Sequence, residues 1–423
     1  MLSQADNDRI TRVGPGTPMG EVMRRYWQPI LMTSEIADPD GAPVRVRLLG
    51  EDLIAFRDTN GKLGLVDAYC PHRRAPMFYG RNEECGLRCV YHGWKFDKDG
   101  NCVDLPTEPE TSKMKNHIKI AAYPTYEGGG LVWAYLGPQD KMPAPPNYEW
   151  MRAPESHCRM SKTFEACNWV QALEGGLDTA HSSFAHNNGD WADNELRQRD
   201  KSPKLEVEKT DYGYSYISFR GAGDDGTYIR VYQYLMPGQQ ARGNVTQASG
   251  RSNNPKMDGH IWVPIDDESC FVYNWACGID QNSPVSLEFF EKFEKQMGRG
   301  HDDHIPGTFK LKKNLSNDYM IDRELQRNRS YYTGIVGINT QDFALQEGMG
   351  PIVDRSQERL GSTDKAIIAM RNLLLEATRD VEAGKMPRGA DPKTHSHVRA
   401  FDSLVPHGKD WREFMAEDLR AKW

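Results

Sequence analysis

Short apolar runs separated by turn residues dominate residues 41–140. The stretches VRVRLLG and LIAFRDTNGKLGLVDAYC are rich in β-branched residues and predict strands joined by tight turns. Asn60-Gly61 and Asp99-Gly100 are dipeptides typical of hairpin turns. GLVWAYLG predicts one more strand, so we expect this part of the chain to be all-β.

The pattern changes after QDKMPAPPNYEW (139–150), whose prolines and polar residues predict a linker. EACNWVQALEGGLDTAHSSFAH (165–186) predicts a helix. Several β-rich runs between residues 204 and 278 predict antiparallel strands. Strands flanked by helices indicate an α+β domain.

The clearest predicted helix covers residues 362–384. Ser362 is the expected N-cap and Gly384 the expected stop. The helix has an apolar stripe formed by Ile367, Met370, Leu374 and Val381.

The chain has 423 residues, which is too long for one small core and indicates two domains. We predict an all-β N-terminal domain at residues 1–150, with its core over about 27–135. The second domain, residues 151–423, is predicted to be α+β, with an antiparallel sheet flanked by helices.

Charge and hydropathy exclude several classes of function. The formal net charge of −7 argues against a nucleic-acid surface, which would need a basic patch, and means that an anionic ligand must be bound by a local cation. The first residues, MLSQADNDRI, are polar and acidic, unlike a signal peptide. No apolar run approaches the roughly 20 residues that a membrane-spanning helix needs. We expect a cytoplasmic protein that binds neither nucleic acid nor membrane.

The strongest chemical signal is a pair of mixed Cys-His motifs, Cys70-x-His72 and Cys89-x-x-His92. Structural zinc sites usually space their ligands as two cysteines and two histidines, so zinc is the weaker alternative. A Rieske [2Fe–2S] cluster needs two cysteines on one iron and two histidines on the other. Each loop then sends one ligand to each iron, which explains the mixed pairs. The nearby Cys85 is expected to be an ordinary thiol, as is Cys102.

A second metal site is indicated by NWVQALEGGLDTAHSSFAH. His181 and His186 are five residues apart, which on a regular helix is about 140° of rotation. They can converge only if the helix bends or ends between them, and the following NNGD is a helix-stop signal. Two histidines with one carboxylate form the facial triad of non-haem Fe(II) oxygenases.

The two motifs CPH…CVYHGW and NWVQALEGGLDTAHSSFAH resemble the α subunit of Rieske non-haem iron ring-hydroxylating oxygenases. GPGTPMG and TQDFALQEGMGPIVDRSQERLGSTD resemble the phthalate dioxygenase branch of that family. The resemblance covers nearly the whole chain. It implies a catalytic domain of the helix-grip type, with a mononuclear Fe(II) besides the [2Fe–2S] cluster.

The resemblance also implies roles for individual residues. His181 and His186 match the iron-binding histidines, and Asp342 matches the third ligand, with Asp354 as its rival. Asp178 matches the aspartate that bridges the Rieske histidine of one subunit and the iron-ligating histidine of the next. Such a bridge implies a homotrimer, or a hexamer of two stacked trimers.

The implied activity is cis-dihydroxylation of an aromatic carboxylate of the phthalate, isophthalate or halobenzoate class by O2. A monooxygenase, either an O-demethylase or an aryl-ether-cleaving enzyme, is the alternative, and a Rieske electron-transfer protein without catalysis is another. The sequence has no G-x-G-x-x-G after a strand, so electrons are expected from a separate flavin and iron–sulfur reductase that uses NADH. For the substrate carboxylate, Arg242 is the first candidate, and Arg220 and Arg230 are alternatives.

Overall fold

The structure, a computed structural model, describes residues 2–188 and 195–423. The chain divides into two compact units, Val13–Pro145 and a second unit made of Pro146–Trp423 together with Met1–Arg12. The first twelve residues therefore group with the C-terminal unit, which differs from the predicted N-terminal domain of residues 1–150.

The described ranges contain both helices and strands. The α-helices are α1 (Gln4–Thr11), α2 (Pro18–Met23), α3 (Glu149–Arg152), α4 (Trp169–Leu177), α5 (Glu195–Arg199), α6 (Leu287–Met297), α7 (Arg323–Arg327), α8 (Ile338–Gly348), α9 (Lys365–Glu382) and α10 (Trp411–Phe414). The strands are β1 (Gln28–Met32), β2 (Val44–Leu48), β3 (Glu51–Arg57), β4 (Leu63–Asp67), β5 (Arg81–Glu83), β6 (Gly86–Arg88), β7 (Lys95–Phe96), β8 (Cys102–Asp104), β9 (Thr125–Gly128), β10 (Leu131–Ala134), β11 (Cys158–Glu165), β12 (Lys204–Lys209), β13 (Gly213–Gly221), β14 (Thr227–Leu235), β15 (Gln239–Gln247), β16 (Gly250–Pro264), β17 (Cys270–Gly278) and β18 (Phe401–Val405).

The N-terminal unit is built from three antiparallel sheets, with strand orders β1-β10-β9, β2-β3-β4 and β5-β6-β7-β8. The predicted hairpin turns are present between β3 and β4 and between β7 and β8. Gly61 and Gly100 have φ angles of 74° and 77°, which side chains with a Cβ rarely adopt. Cys70 and Cys89 belong to the buried apolar cluster of this unit, so the motif loops are anchored in its core.

The C-terminal unit is organised around an antiparallel sheet with strand order β11-β17-β16-β15-β14-β13-β12, and β18 pairs with β14. Helix α4 packs against β16 and α8, and α9 packs against β12. The predicted fold class, an all-β N-terminal domain and an α+β domain with helices on an antiparallel sheet, is confirmed. None of the helices in the described ranges is both long and apolar enough to span a membrane.

The helix predicted over residues 165–186 is shorter in the structure. Glu165 ends β11, and α4 stops at Leu177 with Asp178 in an extended conformation (φ −69°, ψ 124°). Residues His181–Ser183 form a separate 3₁₀ turn. The reason is that the Asp178 carboxylate binds the N–H group of Ala180 at 2.7 Å, which competes with continuation of the helix.

The helix predicted over residues 362–384 begins later than expected. Residues Ser362–Asp364 form a 3₁₀ turn and α9 starts at Lys365, so Ser362 is not the N-cap. The turn is closed by the Gly361 N–H, which donates to the Asp364 carboxylate at 2.6 Å. The C-terminal end agrees with the prediction, because Gly384 comes directly after the C-cap residue Ala383 and has a φ of 77°.

Buried ion pairs hold α4 in place. Glu174 accepts hydrogen bonds from Arg355 Nε at 2.9 Å and from Arg371 Nε at 2.6 Å. Arg355 also donates to Asn7 Oδ1 on α1 at 2.8 Å. All four side chains are buried, and a buried charge is tolerated only when it is paired. The network connects α4 to α9 and to α1, which accounts for the grouping of the first twelve residues with this unit.

Candidate functional site

Cys70 and Cys89 begin two loops with the same backbone geometry. The N–H of Cys70 donates to the carbonyl five residues later at 2.8 Å, and its carbonyl accepts the N–H four residues later at 2.9 Å. Cys89 makes the same two bonds at 2.8 and 2.9 Å. The fourth residue after each cysteine has a positive φ, 58° at Arg74 and 78° at Gly93. Each cysteine and the histidine that follows it are therefore presented by a tight turn.

The four side chains of these loops divide into a buried pair and a surface pair. Cys70 and Cys89 are 1% and 3% exposed, whereas His72 is exposed and His92 is half-buried. The two imidazole centroids are 4.4 Å apart, and His72 stacks on Trp94 at 4.3 Å. The thiols thus lie toward the interior and the imidazoles toward the surface.

This donor set fits a [2Fe–2S] cluster with two Cys and two His ligands. Burial raises the pKa of the Cys70 thiol to about 11, and the nearby Cys89 adds to the effect. With that pKa the Cys70 thiol stays protonated on its own, and bound iron would hold it as a thiolate. Cys85 accepts a hydrogen bond from Asn60 at 3.0 Å and lies outside both loops.

In the second unit, Asp178 shapes the turn that carries His181. Its Oδ1 accepts the N–H groups of Ala180 at 2.7 Å and of His181 at 3.4 Å. Its Oδ2 lies 3.5 Å from Nδ1 of His181, a distance too long for a well-formed hydrogen bond. About 25% of the Asp178 side chain is exposed, so the carboxylate is not completely enclosed within this unit.

The structure brings His181, His186 and Asp342 together. The two imidazole Nε2 atoms are 3.0 Å apart. Asp342 Oδ1 lies 3.4 Å from Nε2 of His181 and 3.3 Å from Nε2 of His186. Asp342 comes from α8, so residues far apart in sequence meet at one point. The helix ends before His181, rather than between the two histidines as expected, and the 3₁₀ turn supplies the convergence.

These three side chains fit a single metal ion. Three ligands on one face of an octahedron, with bonds of about 2.1 Å, are separated by about 3.0 Å, close to the spacing found here. Burial lowers the pKa of His181, but Asp178 and Asp342 raise it to about 10. A metal cation would take the place of that proton.

Other carboxylates near the motif have different partners. Asp354, the rival third ligand, caps the 3₁₀ turn Arg355–Gln357 through the Ser356 N–H and is exposed. Glu347 accepts the N–H of Ala166 at 2.9 Å. In the described part of the chain, the metal-ligand group found among His, Cys, Asp and Glu is His181, His186 and Asp342.

A cavity opens beside the triad. Its wall combines polar and apolar side chains, among them Arg197, Arg230, Arg242, His260, Asn274, Trp262, Ile338 and Phe343. The three arginines give this wall a local positive charge, although the chain as a whole has a net charge of −7. The cavity therefore suits a ligand that has an anionic group and an apolar body.

Arg242, the first candidate for binding a carboxylate, lines this cavity. Its Nε donates to Oδ1 of the buried Asp258, and Asn244 donates to Oδ2 of the same carboxylate at 3.1 Å. Burial opposes ionisation of Asp258, but Arg242 and Lys256 hold its pKa well below the usual value. The ion pair fixes the guanidinium by one edge, and 26% of the Arg242 side chain is exposed.

The two alternative arginines differ in position. Arg230 also lines the cavity, is 5% exposed and donates to the Gly243 carbonyl at 2.7 Å. Arg220 does not line the cavity and instead donates to the Thr179 carbonyl at 2.8 Å and to Ser183 Oγ at 3.2 Å. It therefore anchors the turn that carries His181. The suggestion that Arg220 binds the substrate carboxylate is wrong, because the side chain does not reach the cavity.

The sequence analysis missed several cavity residues, among them His260, Asn274 and Arg197. His260 and Asn274 are register partners on β16 and β17, and His260 Nδ1 lies 2.7 Å from Asn274 Oδ1. A hairpin predicted between these two strands could have indicated that His260 and Asn274 lie opposite each other. Arg197 lies on the short helix α5, and its sequence ELRQR carries no signal of a cavity position.

Family models match both halves of the chain. The Rieske [2Fe-2S] domain matches residues 26–124, and the LigXa C-terminal domain like family matches residues 134–422. The second match alone covers more than half of the chain.

Three curated relatives are similar over almost their full length. The phthalate 4,5-dioxygenase oxygenase subunit of Pseudomonas putida is 40% identical, covering 100% of this chain and 96% of the relative. The 3-chlorobenzoate-3,4-dioxygenase oxygenase subunit of Comamonas testosteroni is 36% identical, covering 97% of each chain. The 5,5'-dehydrodivanillate O-demethylase oxygenase subunit of a Sphingobium species is 33% identical, covering 100% of this chain and 90% of the relative.

A solved structure shares the fold. The NdmA QL mutant of Pseudomonas putida CBB5 with caffeine superimposes with a TM-score of 0.63 over 93% of this chain and 100% of that chain. Its sequence identity of 18% supports the fold alone.

We expect Cys89→Ser to abolish the visible absorption of a Rieske cluster, because a serine hydroxyl does not replace a thiolate ligand. The variant should still bind Fe²⁺ in its C-terminal unit. Cys85→Ser is the matched control and should keep the spectrum, since Cys85 lies outside both loops. A Cys89→Ser protein that remains red-brown and reducible would show that the ligand assignment is wrong.

Proposed function

The chain belongs to the Rieske non-haem iron oxygenases, and on that basis we propose that it is the oxygenase component of a dioxygenase that cis-dihydroxylates an aromatic carboxylate. The observation that carries the proposal is the convergence of His181, His186 and Asp342 beside a cavity with a cationic wall. Relatives named for phthalate and for 3-chlorobenzoate support an aromatic acid as the substrate class.

The protein side chains divide the work of the reaction. When bound, the mononuclear iron supplies O2 activation and the [2Fe–2S] cluster supplies single electrons. His181, His186 and Asp342 hold the metal and leave its other positions open. Arg242 binds the carboxylate, and apolar groups of the wall such as Trp262 and Phe343 contact the ring. The aromatic acid, O2, two electrons and two protons together balance one cis-dihydrodiol.

Electrons are expected from a partner protein, since the sequence has no G-x-G-x-x-G motif after a strand. We propose a separate flavin and iron–sulfur reductase that uses NADH. Relatives named as oxygenase subunits support a system with more than one component.

We further propose that copies of the chain assemble head to tail, as a trimer or as two stacked trimers. In each copy, the exposed His72 lies beside His92, with ring centroids 4.4 Å apart, and His92 in turn contacts the exposed Tyr91 at 4.1 Å. Val90, which precedes Tyr91, is exposed as well. In the C-terminal unit, the exposed Phe184 follows His181 and contacts Tyr332, with ring centroids 6.0 Å apart. Contact between these two surfaces of different copies would bury apolar area and bring an imidazole N–H to Asp178.

A second candidate function is a monooxygenase that removes a methyl group from an aromatic ether. The observation that favours it is the 33% identity to the O-demethylase subunit over the whole chain. The third possibility, an electron carrier without catalysis, is disfavoured because the C-terminal unit has a converged ligand triad beside a cavity.

The experiment that tests the proposal is O2 uptake by the iron-loaded protein with a suitable reductase, NADH and a panel of aromatic acids and their methyl ethers. Mass spectrometry of the products formed under ¹⁸O2 separates the candidates. We expect a dihydrodiol containing two ¹⁸O atoms. Formaldehyde and a phenol would support the demethylase, and the absence of substrate-dependent O2 uptake in metal-replete protein would support the electron carrier.

We expect Arg242→Ala to raise KM for the aromatic acid by about 10- to 150-fold, because a charge-assisted hydrogen bond contributes about 1.5–3 kcal/mol. The effect should be confined to the acid and absent with the corresponding aromatic amide, which has no charge to pair. Arg251→Ala is the control, since Arg251 lies in the same sheet and its side chain is 59% exposed. Equal losses with acid and amide would indicate a packing role instead.

We expect Asp178→Asn to fold, assemble and keep its Rieske spectrum while electron transfer between copies fails. The asparagine Oδ1 can still accept the Ala180 N–H and preserve the turn. Its NH2 replaces Oδ2, and it would then oppose the imidazole N–H groups that a carboxylate accepts. Rapid mixing of the prereduced, iron-loaded variant with O2 should show cluster oxidation slowed by at least about 100-fold.

Asp354→Asn is the matched control for this substitution. Asp354 also caps a 3₁₀ turn through its Oδ1, but it lies outside the ligand triad. Its variant should transfer electrons at the wild-type rate. A wild-type rate in fully metallated Asp178→Asn would remove Asp178 from the pathway and with it the reason for a head-to-tail trimer.

A further inference from the structure

The first two turns of α8 carry Asp342 together with two amide side chains, Asn339 and Gln341. Asn339 lies three residues before Asp342, a spacing that places two side chains on one face of a helix. Gln341 is fully buried. Each amide makes one hydrogen bond to a residue of the triad and one to a group outside the triad. The bond to the outside group determines which atom of the amide faces the triad.

Gln341 determines which nitrogen of His186 carries a hydrogen. Its Nε2 donates to the Ile335 carbonyl at 2.7 Å, and a carbonyl can only accept. The atom facing His186 Nδ1, at 2.8 Å, is therefore the acceptor Oε1. In the neutral imidazole that a metal binds, Nδ1 then carries the hydrogen and Nε2 has the lone pair. That Nε2 is the atom 3.3 Å from Asp342 Oδ1.

Asn339 occupies one oxygen of Asp342. Its Oδ1 accepts from Arg299 Nη1 at 2.6 Å, and a guanidinium can only donate. The amide NH2 therefore faces Asp342, and Nδ2 donates to Oδ2 at 3.1 Å. The other oxygen, Oδ1, faces both imidazoles. The two carboxylate oxygens thus have different partners.

Arg299 is itself held in place, so Asn339 cannot reverse its amide without losing a charged partner. Arg299 is 4% exposed, and its guanidinium donates to both oxygens of Glu294, at 2.9 and 2.8 Å. Its Nη1 also donates to Asn274 Oδ1 at 2.8 Å. The chain of fixed groups runs from Glu294 through Arg299 and Asn339 to Asp342.

We propose that Gln341 and Asn339 are positioning residues of the metal site. Gln341 directs His186 to the metal through Nε2, and Asn339 restricts Asp342 to binding through Oδ1. A carboxylate bound through one oxygen leaves a coordination position that the second oxygen would otherwise fill, and an O2-dependent site needs such an opening. The inference rests on the proposed function only in taking the triad as the metal site.

The two residues should give different results with Co²⁺ as the probe. The protein is freed of iron at the triad, with the [2Fe–2S] cluster kept oxidised so that it has no EPR signal, and is titrated with Co²⁺. Gln341→Met should lower Co²⁺ affinity by about 10- to 100-fold, because the hydrogen bond that fixes the ligating nitrogen is lost. Gln341→Glu restores an acceptor for His186 Nδ1 and should recover most of the affinity.

Gln341→Glu also separates positioning from stability. Its second oxygen would face the Ile335 carbonyl, so the variant should melt at a lower temperature than Gln341→Met. Recovered Co²⁺ affinity in the less stable variant is the result expected of a positioning residue. If Co²⁺ affinity follows melting temperature across the three proteins, the role of Gln341 is structural and the inference is wrong for it.

Asn339→Leu should change coordination more than affinity. With Oδ2 released, both carboxylate oxygens can bind, so the Co²⁺ EPR spectrum should change while most of the affinity remains. Nitric oxide, which needs an open position, should bind the Fe²⁺-loaded variant at least about tenfold more weakly than wild type. An unchanged spectrum and unchanged nitric oxide binding would overturn the role of Asn339.

Two further variants serve as controls for these measurements. Asn372→Leu removes an exposed amide from α9 and should behave as wild type in every measurement. His181→Ala tests the metal site itself. If the wild-type protein binds no Co²⁺, or if His181→Ala binds Co²⁺ as tightly as the wild-type protein, the triad is not the metal site. If His181→Ala loses Co²⁺ but the Gln341 and Asn339 variants do not differ from wild type, only the present inference fails.

Discussion

The ligand triad depends on the interruption of α4 by Asp178. An uninterrupted helix would separate His181 and His186 by about 140°, and one metal ion could not reach both. The Asp178 carboxylate instead binds the N–H groups that follow it, which ends the helix and starts a new turn. One oxygen is used for this backbone function. The other lies 3.5 Å from His181 Nδ1, so the carboxylate that ends the helix also faces the first of the two histidines.

Around this turn, buried polar side chains form hydrogen bonds and ion pairs that leave them little freedom to move. Glu174 is bound by Arg355 and Arg371, so α4 cannot shift without exposing or unpairing charges. Arg220 donates to the Thr179 carbonyl and to Ser183 Oγ, which lie on either side of His181 in the sequence. The turn that carries His181 is therefore fixed both before and after that histidine. A fixed framework is what a site needs when ligand atoms must stay within tenths of an ångström of productive positions.

Much of this could be predicted from sequence because it rests on local signals. The spacing of Cys70, His72, Cys89 and His92 identifies the cluster loops, and Asn60-Gly61 identifies a hairpin. Asp342 came from resemblance, and the structure places it beside both histidines. Cavity positions such as Arg197 could not be predicted, because they depend on how strands and helices pack over long sequence distances. The exclusion of Arg220 from the cavity depends on the same packing. The end of α4 was predicted too late, since the side chain of Asp178 competes locally with helix propensity.

The charge distribution links the proposed chemistry to the overall composition. A chain with a net charge of −7 repels an aromatic acid at long range, but solvent and salt screen that repulsion over about 8–10 Å. Inside the cavity the local cations act at contact distance and in a less polar environment, where their effect is far stronger. Asp258 neutralises part of Arg242 and orients it, so binding of an anion does not require the guanidinium to be ordered first. Because Arg242 and the triad line the same cavity, an aromatic acid of the proposed kind would be held by its carboxylate in the space that also contains the metal ligands.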